Sequence, residues 1–217
     1  MDEKTQPRGQ CRKCLRAPLN CYCALVAAFD PGIRFLVFRH RREARKHVAT
    51  GRITHDFLEG SVLLTGYHFD ADPRAPSLLA DPAFYNVVLF PGAVSVNLSP
   101  LSPAERAELI PAGRRLSIVL VDGTWTTARK AVERSPLLRA LPRISFDPPA
   151  RSRIRIRQQP EAHCLTTLEA AHHAIELLAP PGGRAHDRML DALDAMIDRQ
   201  IELARREVPG AYAWESV

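Results

Sequence analysis

Leu116-Ser117-Ile118-Val119-Leu120-Val121, followed at once by Asp122-Gly123-Thr124-Trp125, is the stretch on which the reading of this chain turns. The first six residues form an almost unbroken apolar run, the mark of a parallel strand buried on both faces. A helical pattern begins directly afterwards. Trp125, Ala128 and Val132 fall on one face, and Arg129, Lys130 and Glu133 fall largely on the other. A carboxylate and a hydroxyl therefore stand at the carboxyl end of a buried strand, where open α/β sheets bind their ligands. Asp122 also reads as the N-cap of the helix, a role Thr124 could fill instead. Trp125 is either the first core residue of that helix or a stacking surface for a base or adenine ring.

Working outward, Ile33 to Phe38 and Asn86 to Phe90 read as further strands, and Val62-Leu63-Leu64 as a short one. Asp30-Pro31-Gly32 turns into the first of these, and Pro91-Gly92 turns out of the second. Asp72 to Pro82 reads as a proline-containing loop. Ser102-Pro103-Ala104-Glu105 carries a capping box and proline at the first helical position. Thr166-Thr167-Leu168-Glu169 is a second capping box, in which Glu169 need do no more than hold a backbone amide. Leu168, Ala171, Ile175 and Leu178 continue it as a helical stripe that ends at Pro180-Pro181-Gly182-Gly183. Met189, Leu190, Leu193, Met196, Ile197 and Ala204 mark a long C-terminal amphipathic helix. Strands alternating with helices predict an α/β fold with a mostly parallel sheet flanked by helices.

Cys11, Cys14, Cys21 and Cys23 form a C-x2-C-x6-C-x-C cluster. No apolar run is long enough to span a membrane, and Met1 to Arg8 lack the apolar core of a signal peptide. A cytosolic location follows as the expectation. Disulfides are rare there, so the four cysteines read as ligands of one structural zinc, a complete thiolate shell with no position left for water, with free or iron-binding cysteines as the alternative. Residues 8–29 are thus expected to form a small zinc knuckle and residues 30–217 a catalytic domain. The fifth cysteine, Cys164, reads as a small buried hydrophobe.

The chain of 217 residues has a formal charge of +6, and 26 of its 30 basic residues are arginine. Arginine forks onto phosphate and stacks on bases, which suits a nucleic-acid partner, although a GC-rich genome yields the same bias. Arg151, Arg153, Arg155 and Arg157 alternate with Ser152, Ile154 and Ile156. As a strand, that pattern would put four guanidiniums on one face. A polyanion would relieve their repulsion, and so would surface carboxylates. A second basic cluster runs from Arg39 through His40, Arg45, Lys46 and His47, at the exit of the first strand. His40 is expected to enter a site at the sheet's carboxyl edge.

Taken together, these pieces resemble the DTW-domain family, the tRNA-uridine aminocarboxypropyltransferases. The resemblance runs from the cysteine cluster through His40-x2-Glu43, Thr50-Gly51, Phe90-Pro91-Gly92, Asp122-Gly123-Thr124-Trp125 and Ser135-Pro136-x-Leu138. It ends at Arg157 and Leu165-Thr166-Thr167-Leu168-Glu169-Ala170. The chain departs from the family's usual pattern at Ala49, Ile154 and Thr166. The resemblance implies a fold related to the SPOUT methyltransferases, with a knotted C-terminal backbone that holds S-adenosylmethionine. It further implies transfer of the 3-amino-3-carboxypropyl group of that donor to N3 of a tRNA uridine, leaving 5'-methylthioadenosine.

On that reading Asp122 is the general base for the N3 proton, Thr124 fixes the carboxylate or the donor's amino-acid part, and Trp125 walls the pocket. Phe90, Pro91, Gly92, Asp122, Leu165, Thr166, Thr167 and Glu169 would hold the donor. His40, Arg45, Lys46, Arg129, Lys130, Arg153, Arg155 and Arg157 would meet tRNA, mainly at phosphates, which position RNA without reading its sequence. Two other readings stay open: a SPOUT-like RNA methyltransferase using the same donor, and a non-catalytic zinc-containing RNA-binding module. The tRNA species, the uridine position and the oligomeric state are not encoded in these motifs, although SPOUT relatives often dimerise.

Overall fold

A computed structural model describes residues 9–46, 48–157, 161, 164–180 and 183–207. Met1 to Arg8, His47 and the Pro181-Gly182 pair lie outside them. Six strands form one all-parallel sheet in the order β2-β1-β5-β3-β6-β4. They are β1 (Arg34–His40), β2 (Val62–Gly66), β3 (Phe84–Leu89), β4 (Ser95–Asn97), β5 (Arg115–Asp122) and β6 (Arg143–Ser145). The expected parallel α/β architecture is therefore what the chain adopts.

Period-two alternation gives the sheet two buried faces. Phe35, Val37, Ile118 and Leu120 face a layer made by α1 (Thr50–Phe57), α6 (Thr167–Leu178) and α7 (Asp187–Glu207). Leu36, Phe38, Val88 and Val119 face the other layer, built with α2 (Arg74–Ala80), α4 (Trp125–Arg134) and α5 (Pro136–Arg139). The short α3 (Pro103–Glu108) starts at Ser102, with both halves of its capping box formed. The apolar stripe of α7 is buried within this single chain, through Met189, Leu193, Met196, Ile197 and Ile201.

The N-terminal segment docks on the first of these layers. Tyr22 is buried in the same core, and its hydroxyl donates to Asp56 Oδ2 at 2.7 Å. Arg52 of α1 reaches back to the Lys13 carbonyl at 2.8 Å, and Arg16 donates to the Lys46 carbonyl. Arg16 is thereby turned inward rather than displayed.

Several expectations are corrected. The Asp72 to Pro82 segment contains helix α2, because Ala75 is packed under it and the Asp72 carboxylate takes the Arg74 amide at 3.0 Å. The arginine row is not a strand: residues 151–155 have no ladder partner. Ile154 alone is fully buried there, while Arg153 and Arg155 pair with Asp194 and Asp198 on α7, at 2.6 and 2.7 Å. Two carboxylates four residues apart on a helix match two arginines on an extended chain, so the repulsion is met inside the protein.

Candidate active site

The chain leaves β1 through α1 toward β2, and leaves β5 through α4 toward β6, so adjacent strands send their connections to opposite faces and opposite edges. A crevice opens at such a switch point. Here it is a cavity of about 690 Å³, a size typical of small-molecule sites. Glu43 and Thr50 enter it from beyond β1, Leu89 to Pro91 from β3, and Asp122 to Trp125 from β5. Ser145 to Pro148 come from β6, and Leu165 to Thr167 from the start of α6.

Asp122 is the last residue of β5, registered against Arg39, and it is almost completely buried. Thr167 Oγ1 donates to its Oδ1 at 2.6 Å. Its Oδ2 is buried without a hydrogen-bond partner among the described residues. Burial pushes the carboxyl up to about 6, the Thr167 hydrogen bond draws it partly back, and the nearby Glu43 carboxylate adds to the rise. A carboxyl near 6 is mostly ionised at neutral pH yet still a useful proton acceptor, which is what general-base work asks for.

The N-cap ambiguity resolves in favour of Thr124, whose Oγ1 accepts the Thr127 amide at 3.3 Å and lies 2.9 Å from Thr127 Oγ1. Asp122 is left free of capping, and the hydroxyl that meets it is that of Thr167. Trp125 stacks on Phe90, with ring centroids 5.1 Å apart and planes 14° apart, and the pair walls one side of the cavity. Two glycines make the site sterically possible. A Cβ on Gly51 would lie 2.4 Å from both Cγ and Oδ2 of Asp122, so the N-terminus of α1 can press on the carboxyl only without a side chain. A Cβ on Gly123 would meet Thr127 Oγ1 at 2.6 Å.

Of the residues expected to hold a donor, Phe90, Pro91, Asp122, Leu165, Thr166 and Thr167 line the cavity together. Gly92 does not; it turns outward, with its amide on Ser95 Oγ at 3.2 Å. Glu169 lies behind the wall. Its carboxylate takes Ser152 Oγ, the Arg153 amide and the Thr166 amide at 2.7, 2.6 and 2.8 Å, which fastens the 151–153 segment to the start of α6.

Of the basic residues, Arg157 lines the cavity. Arg129 and Lys130 are exposed on α4, with the Arg129 guanidinium 5.7 Å from the Trp125 ring. Lys46 pairs with Glu43 at 2.7 Å. His40 packs edge-on against Tyr67, away from the cavity. Arg45 sits in a short 3-10 turn, and its side chain lies outside the described residues. Glu43 was missed as a site residue. The signals for it were the His40-x2-Glu43 element of the family resemblance and a single acid inside an otherwise basic run at a strand exit.

The sulfur atoms of Cys11, Cys14, Cys21 and Cys23 all lie within 4.8 Å of one another, with Cys11–Cys23 at 3.6 Å and Cys14–Cys21 at 3.7 Å. Zinc–thiolate bonds in a tetrahedron set sulfurs about 3.8 Å apart. The four cysteines can therefore hold a metal ion, and the spacing fits zinc.

The sequence model of the DTW domain matches residues 8–201. The chain belongs to the DTW-domain family. Curated relatives of this DTW protein include tRNA-uridine aminocarboxypropyltransferase 2 of Macaca fascicularis, 24% identical over 212 residues, covering 92% of this chain and 66% of the relative. The protein of the same name from Mus musculus matches with the same identity and coverage. That from Drosophila melanogaster is 26% identical over 178 residues, covering 79% of this chain and 67% of the relative. The chain thus spans just under two thirds of the length of the first two. No solved structure matches the DTW chain significantly. The Asp-x-Thr-Trp element of the family is the cavity wall just described: acid in the cavity, threonine at the cap, tryptophan on the phenylalanine. No helix among the described residues is long and apolar enough to cross a membrane.

Proposed function

We propose that this chain transfers the 3-amino-3-carboxypropyl group of S-adenosylmethionine to N3 of a tRNA uridine, with 5'-methylthioadenosine as by-product. The observation that carries the reading is the buried, half-satisfied Asp122 carboxyl, which opens onto an aromatic-walled cavity in a member of the DTW family. S-Adenosylmethionine supplies an electrophilic carbon attached to a sulfonium. The residues around the cavity determine which of its three activated carbons faces the acceptor.

The uracil N3–H is weakly acidic and its nitrogen a poor nucleophile until the proton leaves. The Asp122 carboxylate is the acceptor for that proton, and the Thr167 hydroxyl on Oδ1 keeps it oriented. Trp125 and Phe90 give a flat apolar wall for an adenine or uracil ring, and Glu43 and Arg157 supply opposite charges for the amino and carboxylate ends of the donor. Backbone groups at Pro91 and at Leu165 to Thr167 bound the same space. Arg129 and Lys130, exposed on α4, are assigned to RNA phosphates. The reading includes one structural zinc on the four N-terminal cysteines, a cytoplasmic location, and the knotted C-terminal passage.

The test is a by-product assay with bulk tRNA and S-adenosylmethionine. Release of 5'-methylthioadenosine that depends on tRNA supports the proposal. S-Adenosylhomocysteine in its place would make the chain a methyltransferase. Tight tRNA binding with neither product would make it a binding module.

A further inference from the structure

Away from the Asp122 cavity, a second group of ligand-type side chains converges at the corner between α6 and α7. His172 and Glu176 lie one turn apart on α6 and face His186 and Asp187 at the entry to α7. One nitrogen or oxygen from each of the four falls within 4.8 Å of all the others. His172 Nε2 is 3.1 Å from Asp187 Oδ1.

His186 Nε2 is the unusual atom. It is buried and has no hydrogen-bond partner among the described residues, although Asp187 Oδ1 lies 3.7 Å away and Glu176 Oε1 lies 3.9 Å away. These distances are too long for hydrogen bonds. They are close to the separation of about 3.4 Å between neighbouring nitrogen and oxygen ligands on one tetrahedral zinc. Leaving the nitrogen orphaned is unfavourable, and a shared ion removes that cost.

We propose that His172, Glu176, His186 and Asp187 form a second metal site, taking a zinc-class divalent ion that clamps the start of α7 to α6. Two imidazoles with two carboxylates select a borderline ion over calcium or magnesium, which favour all-oxygen shells. Arg184 is the competing cation: its guanidinium contacts Asp187 Oδ2 at 2.5 Å and Glu176 Oε1 at 3.3 Å. Its side chain is 71% exposed, so its pairing is easily reorganised, and one positive charge leaves the two carboxylates with a net negative charge. The site plays no part in the proposed reaction. It steadies the helix whose other end presents Thr167 to Asp122.

The experiment loads the full chain with Co(II) beyond the amount that saturates the thiolate charge-transfer bands of the cysteine cluster, and Zn(II) titration follows the same course. The expected result is one further equivalent per chain. It should give a weak ligand-field band without charge-transfer intensity and raise the melting temperature. In His186→Gln the affinity for that equivalent should fall by roughly a hundredfold or more, with the thiolate bands intact as proof of folding. Arg184→Ala should bind the second equivalent at least as tightly as wild type. Wild-type protein that stops at the cysteine cluster would overturn the proposal without reference to any variant. So would a second equivalent that His186→Gln retains. Mg(II) at the same concentration should change nothing, and an equal response to it would reject the assigned ion class.

Discussion

Replacing Asp122 by asparagine isolates its proton chemistry, because Thr124 and not Asp122 caps α4. The side chain keeps its shape and can still accept the Thr167 hydroxyl. What it loses is titration. In the wild type the folded state binds the Asp122 proton more tightly than the unfolded chain does. Stability from this group is therefore intact below its ordinary value of 3.8 and is lost as pH rises to about 6. At about 1.4 kcal/mol per pH unit between those limits, folding is about 3 kcal/mol less favourable at pH 8 than at pH 4 on this group's account. Asparagine removes that dependence. The melting temperature of Asp122→Asn relative to wild type should climb by roughly 6–12 °C between pH 4 and pH 8. At pH 8, where the wild-type carboxyl is ionised, single-turnover release of 5'-methylthioadenosine should be lower in the variant by roughly a hundredfold or more, and the gap should close as pH falls below about 6. Near-normal turnover in a folded Asp122→Asn protein would refute the base assignment. A flat difference in melting temperature would refute the buried-carboxyl reasoning.

Other outcomes follow from neighbouring contacts. Thr167→Val deletes the hydrogen bond that holds Asp122 down, so the acidic limb of the turnover–pH profile, expected near pH 6 in wild type, should move to higher pH; an unmoved limb would disconnect the two residues. Gly51→Ala should fold but turn over roughly a hundredfold more slowly, since its Cβ must displace the Asp122 carboxyl; wild-type kinetics would show that the carboxyl's placement is immaterial. Reversing charge at Arg129 and Lys130 should weaken tRNA binding, with the salt dependence shallower by roughly one per residue; normal binding across a salt series would remove the pair from the RNA surface. Cys21→Ser should lower zinc content and expose the N-terminal segment to protease; a metal-free preparation with an intact, protected N-terminus would rule out structural zinc.

Much of this site was readable in the chain because local chemistry dictated it. The run ending at Val121 became a central strand, and both capping boxes formed at Ser102 and Thr166, since each depends on residues three apart. Thr124 and Asp122 competed for one cap locally, and only the tertiary contact from Thr167, 45 residues later, separates them. Helix α1 was not legible as a helix: glycine and two threonines weaken its propensity, and only Ile53 and Phe57 mark its buried face. The strands β4 and β6 have three residues each, too few to show a period. The arginine row misled because alternation is equally satisfied by an extended segment without a sheet. Its partners, Asp194 and Asp198, lie some forty residues away on a helix whose pattern carries no sign of them.

Helix α1 has eight residues, too few to persist by their own propensity. Its outer side is moored to the cysteine segment at two points, Arg52 to the Lys13 carbonyl and Asp56 to the Tyr22 hydroxyl, and its first turn bears on Asp122 through Gly51. The sulfurs thus act as a distant buttress for the carboxyl. A chelator or oxidant that never enters the cavity should reach the proton acceptor by slackening the helix between them. Loss of the proposed zinc would then register as a change in the acidity of Asp122 before it registers as unfolding.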